Sequence, residues 1–409
     1  MTLHDTLTCT IETLAYGGDG IARVDGRVLF IPETIPSETV RVRVTQMKKH
    51  FARAEVLDLI TPSPRRISPC CRITDSVCGE LFRVPGCVYD HIDYAEEVNA
   101  KQHQLKGFFR RLPQIAAIRF GEPFLSPSPL HYRNKIVLHA QHKSGVTHLG
   151  YRQEPSHRVL DIPACPLACR EINGALSSLR ASARFQTLQD NDRVTFRHTA
   201  KDGAVWWVNN EIPHPPCAEC FTEASPSGPL RVPRDGFYQI NPSVSHALVR
   251  TVSEWFAEEL EFSELLDLYC GVGVFGFACM QAGGTRLTGI ESGRAAIAAA
   301  KQNAEDLGIP GVFWNAALGQ EPVRLLDFIH NRARTTAIVD PPRDGLAPAL
   351  VHDLAACGLP RLFYVSCDPA TLARDLDIFM HHGYRISRIR LFDMFPRTAH
   401  FETLAELRH

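Results

Sequence analysis

Cys367 stands where a hydrophobic run, Leu362-Phe-Tyr-Val365, passes into Ser366-Cys-Asp-Pro369. The run predicts a buried strand, and proline predicts its end, because proline cannot continue a ladder of strand hydrogen bonds. A thiol at a strand end can act as a nucleophile, although most buried cysteines only fill the core. A carboxylate, Glu402, follows in the stretch Phe395-Pro-Arg-Thr-Ala-His-Phe-Glu402. The pair predicts covalent catalysis, with Cys367 as nucleophile and Glu402 as base.

A glycine-rich segment upstream predicts a binding site for a nucleotide-like methyl donor. Leu266-Asp-Leu-Tyr-Cys-Gly-Val-Gly-Val-Phe275 reads as a strand, a glycine turn and the start of a helix. Glycine lets the backbone approach a ligand, and the helix N-terminus faces that ligand. Glu291 ends the next predicted strand, where its carboxylate can accept hydrogen bonds from both hydroxyls of a ribose. Since the third glycine of a dinucleotide-binding loop is absent, the pattern favours S-adenosylmethionine.

Asp340 begins a further strand-end motif, Asp340-Pro-Pro-Arg343. Asp-Pro-Pro also occurs in enzymes that methylate base amines, so this motif alone does not select the reaction. Cys367 does select it, because a thiolate that adds to carbon 6 of uracil makes carbon 5 able to attack a methyl donor. A base must then remove the carbon 5 proton so that the thiol can leave, and Glu402 is the candidate. Asp340 is the candidate for orienting the uracil or supporting activation of the nucleophile.

The elements that position these residues alternate between strands and helices from Phe237 onward. Strands are predicted over 265–269, 286–290, 336–339, 361–365 and 386–392, and helices over 243–259, 274–282, 293–307, 346–355 and 369–381. This alternation predicts an α/β, Rossmann-like doubly wound parallel sheet. Ligands of such sheets bind at the carboxyl ends of the strands, where the motifs above lie.

The first half of the chain has a different pattern. Residues 7–59 predict five short strands with turns at Tyr16-Gly-Gly-Asp-Gly20 and Asp25-Gly26, which favours a small OB-like β-barrel. A helix is predicted over 93–111, and strand-like segments mix with one helix near 168–183 farther on. We therefore predict an N-terminal barrel over 1–60, a mixed α+β central region over 61–235 and a catalytic domain over 236–409.

The composition of the chain limits the class of protein to which it can belong. The 409 residues are 44% hydrophobic and 22% charged with net charge −1, which describes an ordinary globular protein and does not by itself indicate nucleic acid. Basic residues nevertheless cluster between Arg41 and Arg66, either as a solvated strand face or as a phosphate-contacting patch. The N-terminus lacks a signal-peptide pattern and no apolar run could span a bilayer, so we expect a cytoplasmic protein without a membrane partner.

Thirteen cysteines in a reducing compartment predict metal ligands, catalytic thiols or packing residues, with disulfides excluded. One group is close in sequence and has a distant partner. It comprises Cys70, Cys71, Cys78 and Cys87, followed by Val88-Tyr-Asp-His91, with Cys165 as the distant partner. Thiolates at this loop spacing indicate zinc or an iron–sulfur cluster, and the sequence leaves both open.

With these residues in view, the chain resembles the RNA 5-methyluridine methyltransferases over nearly its full length. Tyr16-Gly-Gly-Asp-Gly-Ile21 and Val28-Leu-Phe-Ile-Pro32 resemble the family's RNA-binding TRAM domain, and Phe237-Tyr-Gln-Ile-Asn241 resembles the segment that enters its catalytic domain. The glycine loop and the three later motifs match in order and spacing. The resemblance implies Cys367 as nucleophile and Glu402 as base. It implies that Gln239, Tyr269, Glu291 and Asp340 surround S-adenosylmethionine.

The cysteine region departs from the family pattern. Members with a 4Fe–4S cluster usually show Cys-x5-Cys-Gly-Gly-Cys and a distant Cys, whereas six residues separate Cys71 from Cys78 here, and an insert follows Gly79. Loop expansion around a retained site is the preferred interpretation, and loss of the cluster is the alternative. The resemblance implies Cys71, Cys78, Cys87 and Cys165 as ligands, with Cys70 able to replace Cys71.

The resulting hypothesis is S-adenosylmethionine-dependent methylation of carbon 5 of a specific uridine in RNA. Family analogy favours 23S ribosomal RNA over transfer RNA, and we expect a monomer. The alternatives are an RNA cytosine-5 or base-amine methyltransferase, and a non-catalytic RNA-binding or iron–sulfur protein. Because Glu402 lies close to the C-terminus, removal of the last eight residues is expected to block product release while leaving the attack by Cys367 in place.

Overall fold

The computed structural model describes residues 1–74, 81–113, 115–143, 145–153, 156–215, 220–320 and 323–409. Its N-terminal part is a six-stranded sheet in the order β1-β5-β6-β4-β3-β2. Along β5, Val40, Val42 and Val44 are buried and the residues between them are exposed, as the alternating sequence predicts. The strands are β1 Thr6–Thr10, β2 Thr13–Leu14, β3 Gly20–Val24, β4 Arg27–Ile31, β5 Thr39–Met47 and β6 Phe51–Thr61.

A hairpin and a long helix follow this sheet. The hairpin pairs β7 (Arg72–Thr74) with β8 (Leu81–Arg83), and α1 spans Tyr94–Phe109. Asp93 begins the helix, because its carboxylate accepts a hydrogen bond from the Glu96 amide at 2.9 Å. The apolar side of α1 is buried in the core of the C-terminal sheet. Helix α1 therefore joins the N-terminal sheet to the C-terminal sheet, although the central sheet lies between them in sequence.

The central part is a five-stranded antiparallel sheet in the order β12-β11-β10-β13-β14. Two helices and a separate hairpin accompany it. The elements are β10 Lys135–Lys143, β11 Val146–Arg152, β12 Val159–Asp161, α2 Arg170–Arg180, α3 Ala183–Gln186, β13 Arg193–Thr199 and β14 Gly203–Val208, with the hairpin β15 Cys220–Ser225 and β16 Gly228–Pro233. Cys71, Cys87 and Cys165 are buried in the hydrophobic core of this part.

The C-terminal part is an eight-stranded sheet in the order β19-β18-β17-β20-β21-β23-β22-β9. Its strands are β9 Arg119–Phe120, β17 Glu264–Leu268, β18 Arg286–Glu291, β19 Val312–Asn315, β20 Thr335–Val339, β21 Arg361–Ser366, β22 Arg385–Phe392 and β23 Glu402–Arg408. Its helices are α4 Pro242–Ala257, α5 Val274–Gln281, α6 Arg294–Leu307, α7 Pro348–Ala356 and α8 Pro369–His381. The five strands from β19 to β21 run parallel, which confirms the predicted doubly wound α/β sheet. No helix among the described residues is long and apolar enough to cross a membrane.

Strand β23 corrects one prediction about the C-terminus. It lies inside the sheet, antiparallel to both β21 and β22, and six of its seven residues are buried. Glu406 on this strand forms buried ion pairs with Arg361 and Arg388, each with an N–O distance of 2.6 Å. Removal of the last eight residues would therefore take out a central strand, and the chain would lose its fold rather than only its product-release step.

Candidate active site

A cleft of about 1830 Å³ lies at the carboxyl ends of the parallel strands. The sheet order reverses direction between β17 and β20, and such a switch point opens a crevice for ligands. All six residues that the sequence places around a donor or in catalysis line this cleft. They are Gln239, Tyr269, Glu291, Asp340, Cys367 and Glu402. Side chains from residues up to 163 positions apart in the chain thus line the same cleft. The role of each residue stays a prediction.

Glu291 closes the glycine loop at one end of the cleft. Its carboxylate accepts hydrogen bonds from the amides of Gly271, at 3.3 Å, and Gly293, at 2.7 Å. Gly273 has φ +92°, and a Cβ there would lie 2.4 Å from the ring of Phe277, so only glycine fits this turn. The loop amides and Glu291 form a concave surface suited to the adenosine half of a donor.

Cys367 occupies the turn after β21 at the other end of the cleft. Asp368 fixes this turn, because its side chain accepts hydrogen bonds from the amides of Ala370 and Thr371 at 2.9 Å each and so caps α8. Burial, together with the negative charge of Glu402, raises the pKa of the Cys367 thiol to about 12. The positive charge of Arg343 acts in the opposite direction. The thiol is therefore protonated at neutral pH.

Glu402 lies at the first position of β23 and is 3% exposed. Among the described residues its Oε2 atom has no hydrogen-bond partner. Burial, and then the charge of Asp340, raise the pKa of Glu402 well above its ordinary value. Desolvation in the cleft likewise raises the pKa of Asp340 to about 7. Two buried carboxyls with raised pKa values beside a thiol are the surroundings that acid–base chemistry at neutral pH requires.

Two further residues of the cleft were not assigned a role from the sequence. Arg343 is exposed, and its charge lowers the pKa of Cys367 and Glu402, so it favours both ionised forms. Phe237 is 73% exposed, and an exposed aromatic ring in a cleft is suited to stacking on a base. Both lie in motifs already recognised, Asp340-Pro-Pro-Arg343 and Phe237-Tyr-Gln-Ile-Asn241, so the motifs themselves carried the signal.

A buried ionic network supports the loop that precedes Glu402. Lys101 of α1 is fully buried and contacts the carboxylates of Glu97 and Asp393, each at 2.7 Å. It also donates to the carbonyl of Phe395 at 3.2 Å, and Arg397 contacts Glu97 with an N–O distance of 3.3 Å. Helix α1 thereby fixes the 393–397 loop. No sequence signal predicted these contacts, since the partners lie nearly 300 residues apart.

The predicted metal ligands come together only in part. Cys71 and Cys87 are each 1% exposed and Cys165 is 2% exposed, while Cys78 lies outside the described residues. The Tyr151 hydroxyl donates to Cys165 Sγ at 3.4 Å, and the sulfurs of Cys70 and Cys71 are 3.9 Å apart. The described thiols do not all lie within 4.8 Å of one another. A closed tetrahedral zinc site needs sulfurs about 3.8 Å apart, a distance that the Cys70 and Cys71 pair matches, so zinc and an iron–sulfur cluster both stay open.

The arginines of the basic run on the N-terminal sheet are paired with neighbouring carboxylates. Each of its arginines forms a salt bridge, as follows: Arg41 with Asp58, Arg43 with Glu55, Arg53 with Asp19, Arg65 with Asp93 and Arg66 with Glu38. Most of these pairs join facing residues of β5 and β6 or neighbouring loops. The structure therefore favours the solvated strand face over a phosphate-contacting patch along these residues.

Two family models match parts of this chain, and known proteins resemble it over nearly its full length. Residues 229–408 match the model of the tRNA (Uracil-5-)-methyltransferase family, and residues 3–57 match that of the TRAM domain. The 23S rRNA (uracil(1939)-C(5))-methyltransferase RlmD of Klebsiella pneumoniae strain 342 is 30% identical over 99% of this chain and 96% of its own. An uncharacterized RNA methyltransferase of Thermosynechococcus vestitus is 28% identical over 98% of both chains.

One solved structure shares the fold over the whole chain. It is the Pyrococcus abyssi tRNA (uracil-54, C5)-methyltransferase in complex with S-adenosyl-L-homocysteine. Its TM-score is 0.74 at 24% identity, covering 98% of this chain and 100% of that one. The likeness supports the arrangement of the three parts described above.

Proposed function

Since the chain belongs to the RNA uracil-5-methyltransferase family, we propose that it methylates carbon 5 of one uridine in 23S ribosomal RNA through a covalent adduct with Cys367. One observation carries this proposal: a single cleft holds a glycine-loop donor site at one end and the pair Cys367 and Glu402 at the other. An amine methyltransferase needs neither a strand-end thiol nor a buried carboxyl beside it. We propose 23S ribosomal RNA as the substrate because relatives of this chain are named for that RNA, and transfer RNA is the alternative.

The donor site follows from the residues at the glycine loop. S-adenosylmethionine supplies an electrophilic methyl group on a positively charged sulfur. Glu291 would accept hydrogen bonds from the ribose hydroxyls, Gln239 and Tyr269 would border the donor, and Asp340 would lie near its reacting end. An ionised Asp340 is favoured beside a positive charge, because opposite charges lower the cost of ionisation. The cleft is thus a better fit for the charged donor than for its neutral product.

The chemical steps divide between Cys367 and Glu402. The Cys367 thiol first gives up its proton, for which the Asp340 carboxylate is the candidate acceptor. The thiolate then adds to carbon 6 of the uracil, and the electron pair of the 5,6 double bond becomes available at carbon 5. Carbon 5 forms its bond to the methyl group as the methyl–sulfur bond breaks. Glu402 then takes the carbon 5 proton, the double bond re-forms, and the bond between Cys367 and carbon 6 breaks. The thiolate and the 5-methyluridine are released together.

The raised pKa values suit this sequence of steps. Burial favours the protonated form of the Cys367 thiol, which protects it from chance alkylation. The positive charge of Arg343 favours the thiolate form of Cys367. A target uracil must leave its stack in the RNA to reach Cys367. Burial raises the pKa of Glu402, so its carboxylate is a stronger base for the carbon 5 proton than an exposed glutamate would be.

We also propose that the cysteine site holds a 4Fe–4S cluster. Cys71, Cys87 and Cys165 are buried in one core, and Cys78 would complete the four thiolates that such a cluster needs. Cys71 is preferred to Cys70 because it is the more buried of the two. Iron and sulfide analysis of the protein purified without oxygen, beside a Cys87→Ala variant, tests this assignment. Zinc in place of iron would contradict it.

Nucleoside mapping of ribosomal and transfer RNA from a deletion strain tests the proposed function. The proposal expects loss of one 5-methyluridine from 23S ribosomal RNA and its return when the purified protein and S-adenosylmethionine are added. Loss of 5-methylcytidine or of an amine-methylated base would support the other enzymatic hypothesis. An unchanged set of nucleosides would support the non-catalytic alternative.

A further inference from the structure

A turn of the N-terminal sheet reaches the catalytic segment. Tyr16, between β2 and β3, packs edge-on against Phe108 of α1, with ring centroids 5.4 Å apart, and against Phe401, with centroids 6.1 Å apart. Its hydroxyl lies 3.3 Å from Nδ1 of His400. His400 and Phe401 are the two residues that directly precede Glu402, so the N-terminal sheet touches the chain immediately before the proposed base.

The Tyr16 turn is held firmly in this position. Gln104 of α1 donates to the carbonyl of Ala15 at 2.9 Å and to the hydroxyl of Tyr89 at 2.9 Å. Gly18 approaches Val88 so closely that an added Cβ would lie 2.9 Å from that side chain. Because α1 also fixes the 393–397 loop through Lys101, Tyr16 and Lys101 hold the approach to Glu402 from two directions.

The hydroxyl of Tyr16 also lies within electrostatic reach of the reacting residues. Burial, together with the negative charges of Asp368 and Cys367, raises the pKa of Tyr16. Burial and the positive charge of Arg343 lower the pKa of His400, so the imidazole is neutral at working pH. The Tyr16–His400 contact is thus a hydrogen bond between neutral groups, two residues before Glu402 in the chain.

We propose that Tyr16 is a positioning residue for proton abstraction, which holds His400 and thereby the side chain of Glu402 against carbon 5 of the uracil. This inference rests on the proposed function and assigns the N-terminal sheet a part in one chemical step. Cys367 is fixed independently, by β21 and the Asp368 cap of α8. Loss of the Tyr16 contact should therefore spare thiolate addition and methyl transfer and slow only the release of the adduct.

The test uses the full-length protein with Tyr16→Phe, which removes the hydroxyl and keeps the ring, and with Tyr16→Ala, which removes both. Tyr384→Phe is the matched control, since Tyr384 precedes β22 at the end of the sheet opposite Glu402. Each variant is mixed with RNA and S-adenosylmethionine labelled in the methyl group, then quenched in SDS. Turnover and the labelled RNA–protein adduct are measured in the same reaction.

Tyr16→Phe is expected to lower turnover about threefold to tenfold, the rate equivalent of one hydrogen bond. The steady-state adduct should rise as turnover falls, and Tyr384→Phe should match the wild type in both readouts. If Tyr16→Ala folds, it should hold more adduct still. Wild-type turnover and adduct in Tyr16→Phe would overturn the inference, and so would a fall in both readouts, which would indicate a role in RNA binding or folding.

Failure of the proposed function would look different. In that case the wild type would transfer no methyl group to uridine, and Glu402→Gln would form no adduct. The positioning role of Tyr16 is refuted separately when the wild type methylates uridine, Glu402→Gln traps the adduct, and Tyr16→Phe behaves as the wild type does.

Discussion

Replacing Glu402 with glutamine should separate the two halves of the proposed reaction. Glu402 is 3% exposed, and burial with the nearby Asp340 raises its pKa well above the ordinary value. Glutamine has the same shape as this carboxyl and carries no charge, so the substitution adds no cost of burial. The free energy of unfolding should change by no more than about 1 kcal/mol, the worth of one hydrogen bond. The variant is thus expected to fold and to bind RNA and donor as the wild type does.

The two chemical halves should respond in opposite ways. Loss of a general base costs about 10²–10⁴-fold in rate, or about 3–5 kcal/mol of transition-state stabilisation. The negative charge of Glu402 raises the pKa of Cys367, so glutamine favours the thiolate and cannot slow its addition for electrostatic reasons. Methyl transfer should therefore proceed once, and the protein should accumulate as methylated adduct at close to one per active site.

The assay is electrophoresis in SDS after reaction with RNA and methyl-labelled S-adenosylmethionine. Glu402→Gln should give a labelled band shifted by the mass of the RNA, and Cys367→Ala should give neither band nor turnover. Thermal unfolding of both variants controls for folding. Turnover of Glu402→Gln within tenfold of the wild type, or its loss without any adduct, would refute the role of Glu402 as the base.

Two further predictions follow from the buried charges. Because the pKa of Asp340 is raised to about 7, its carboxyl is largely neutral at pH 6 and ionised at pH 8. Calorimetry should therefore show that S-adenosylmethionine binds several-fold more tightly at pH 8 than at pH 6. The affinity should depend less on pH for S-adenosylhomocysteine, and for S-adenosylmethionine with the Asp340→Asn variant. Equal pH profiles for the two ligands would contradict this charge-based account. Lys101→Met leaves Asp393 buried without a cation and Glu97 with Arg397 alone, and it should lower the free energy of unfolding by about 3–5 kcal/mol. Arg41→Met breaks an exposed pair with Asp58 and should cost less than about 1 kcal/mol in denaturant titration. Similar losses in both variants would contradict the assignment of the network.

The sequence predicted the catalytic sheet because its strands are short apolar runs followed by turn residues. Thr335–Val339 is buried throughout, as a strand covered on both faces must be. The same pattern placed Asp340 and Cys367, each within two residues of a strand end, at the edge of the sheet. Strand β23 escaped prediction, because Glu402–Arg408 mixes charged and apolar residues although nearly all of them are buried. The buried Glu406 is tolerated there because arginines from β21 and β22 pair with it.

Long-range contacts account for what the sequence could not show. The pairing of Arg43 with Glu55 depends on the register between β5 and β6, which the composition of the basic run does not reveal. The contact of Lys101 with Asp393 joins residues 292 positions apart. Tyr16 was recognised as part of a turn, but its contact with His400 depends on how the N-terminal sheet packs against α1 and the C-terminal sheet.

Tritium release tests the central claim most directly. RNA transcribed with tritium at carbon 5 of every uridine is incubated with the protein and S-adenosylmethionine carrying a differently labelled methyl group. Methylation of carbon 5 replaces its hydrogen, so one tritium should enter water for each methyl group that the RNA gains, and Cys367→Ala should release none. Transfer of methyl groups to the RNA with the tritium retained would contradict methylation at carbon 5 of uridine.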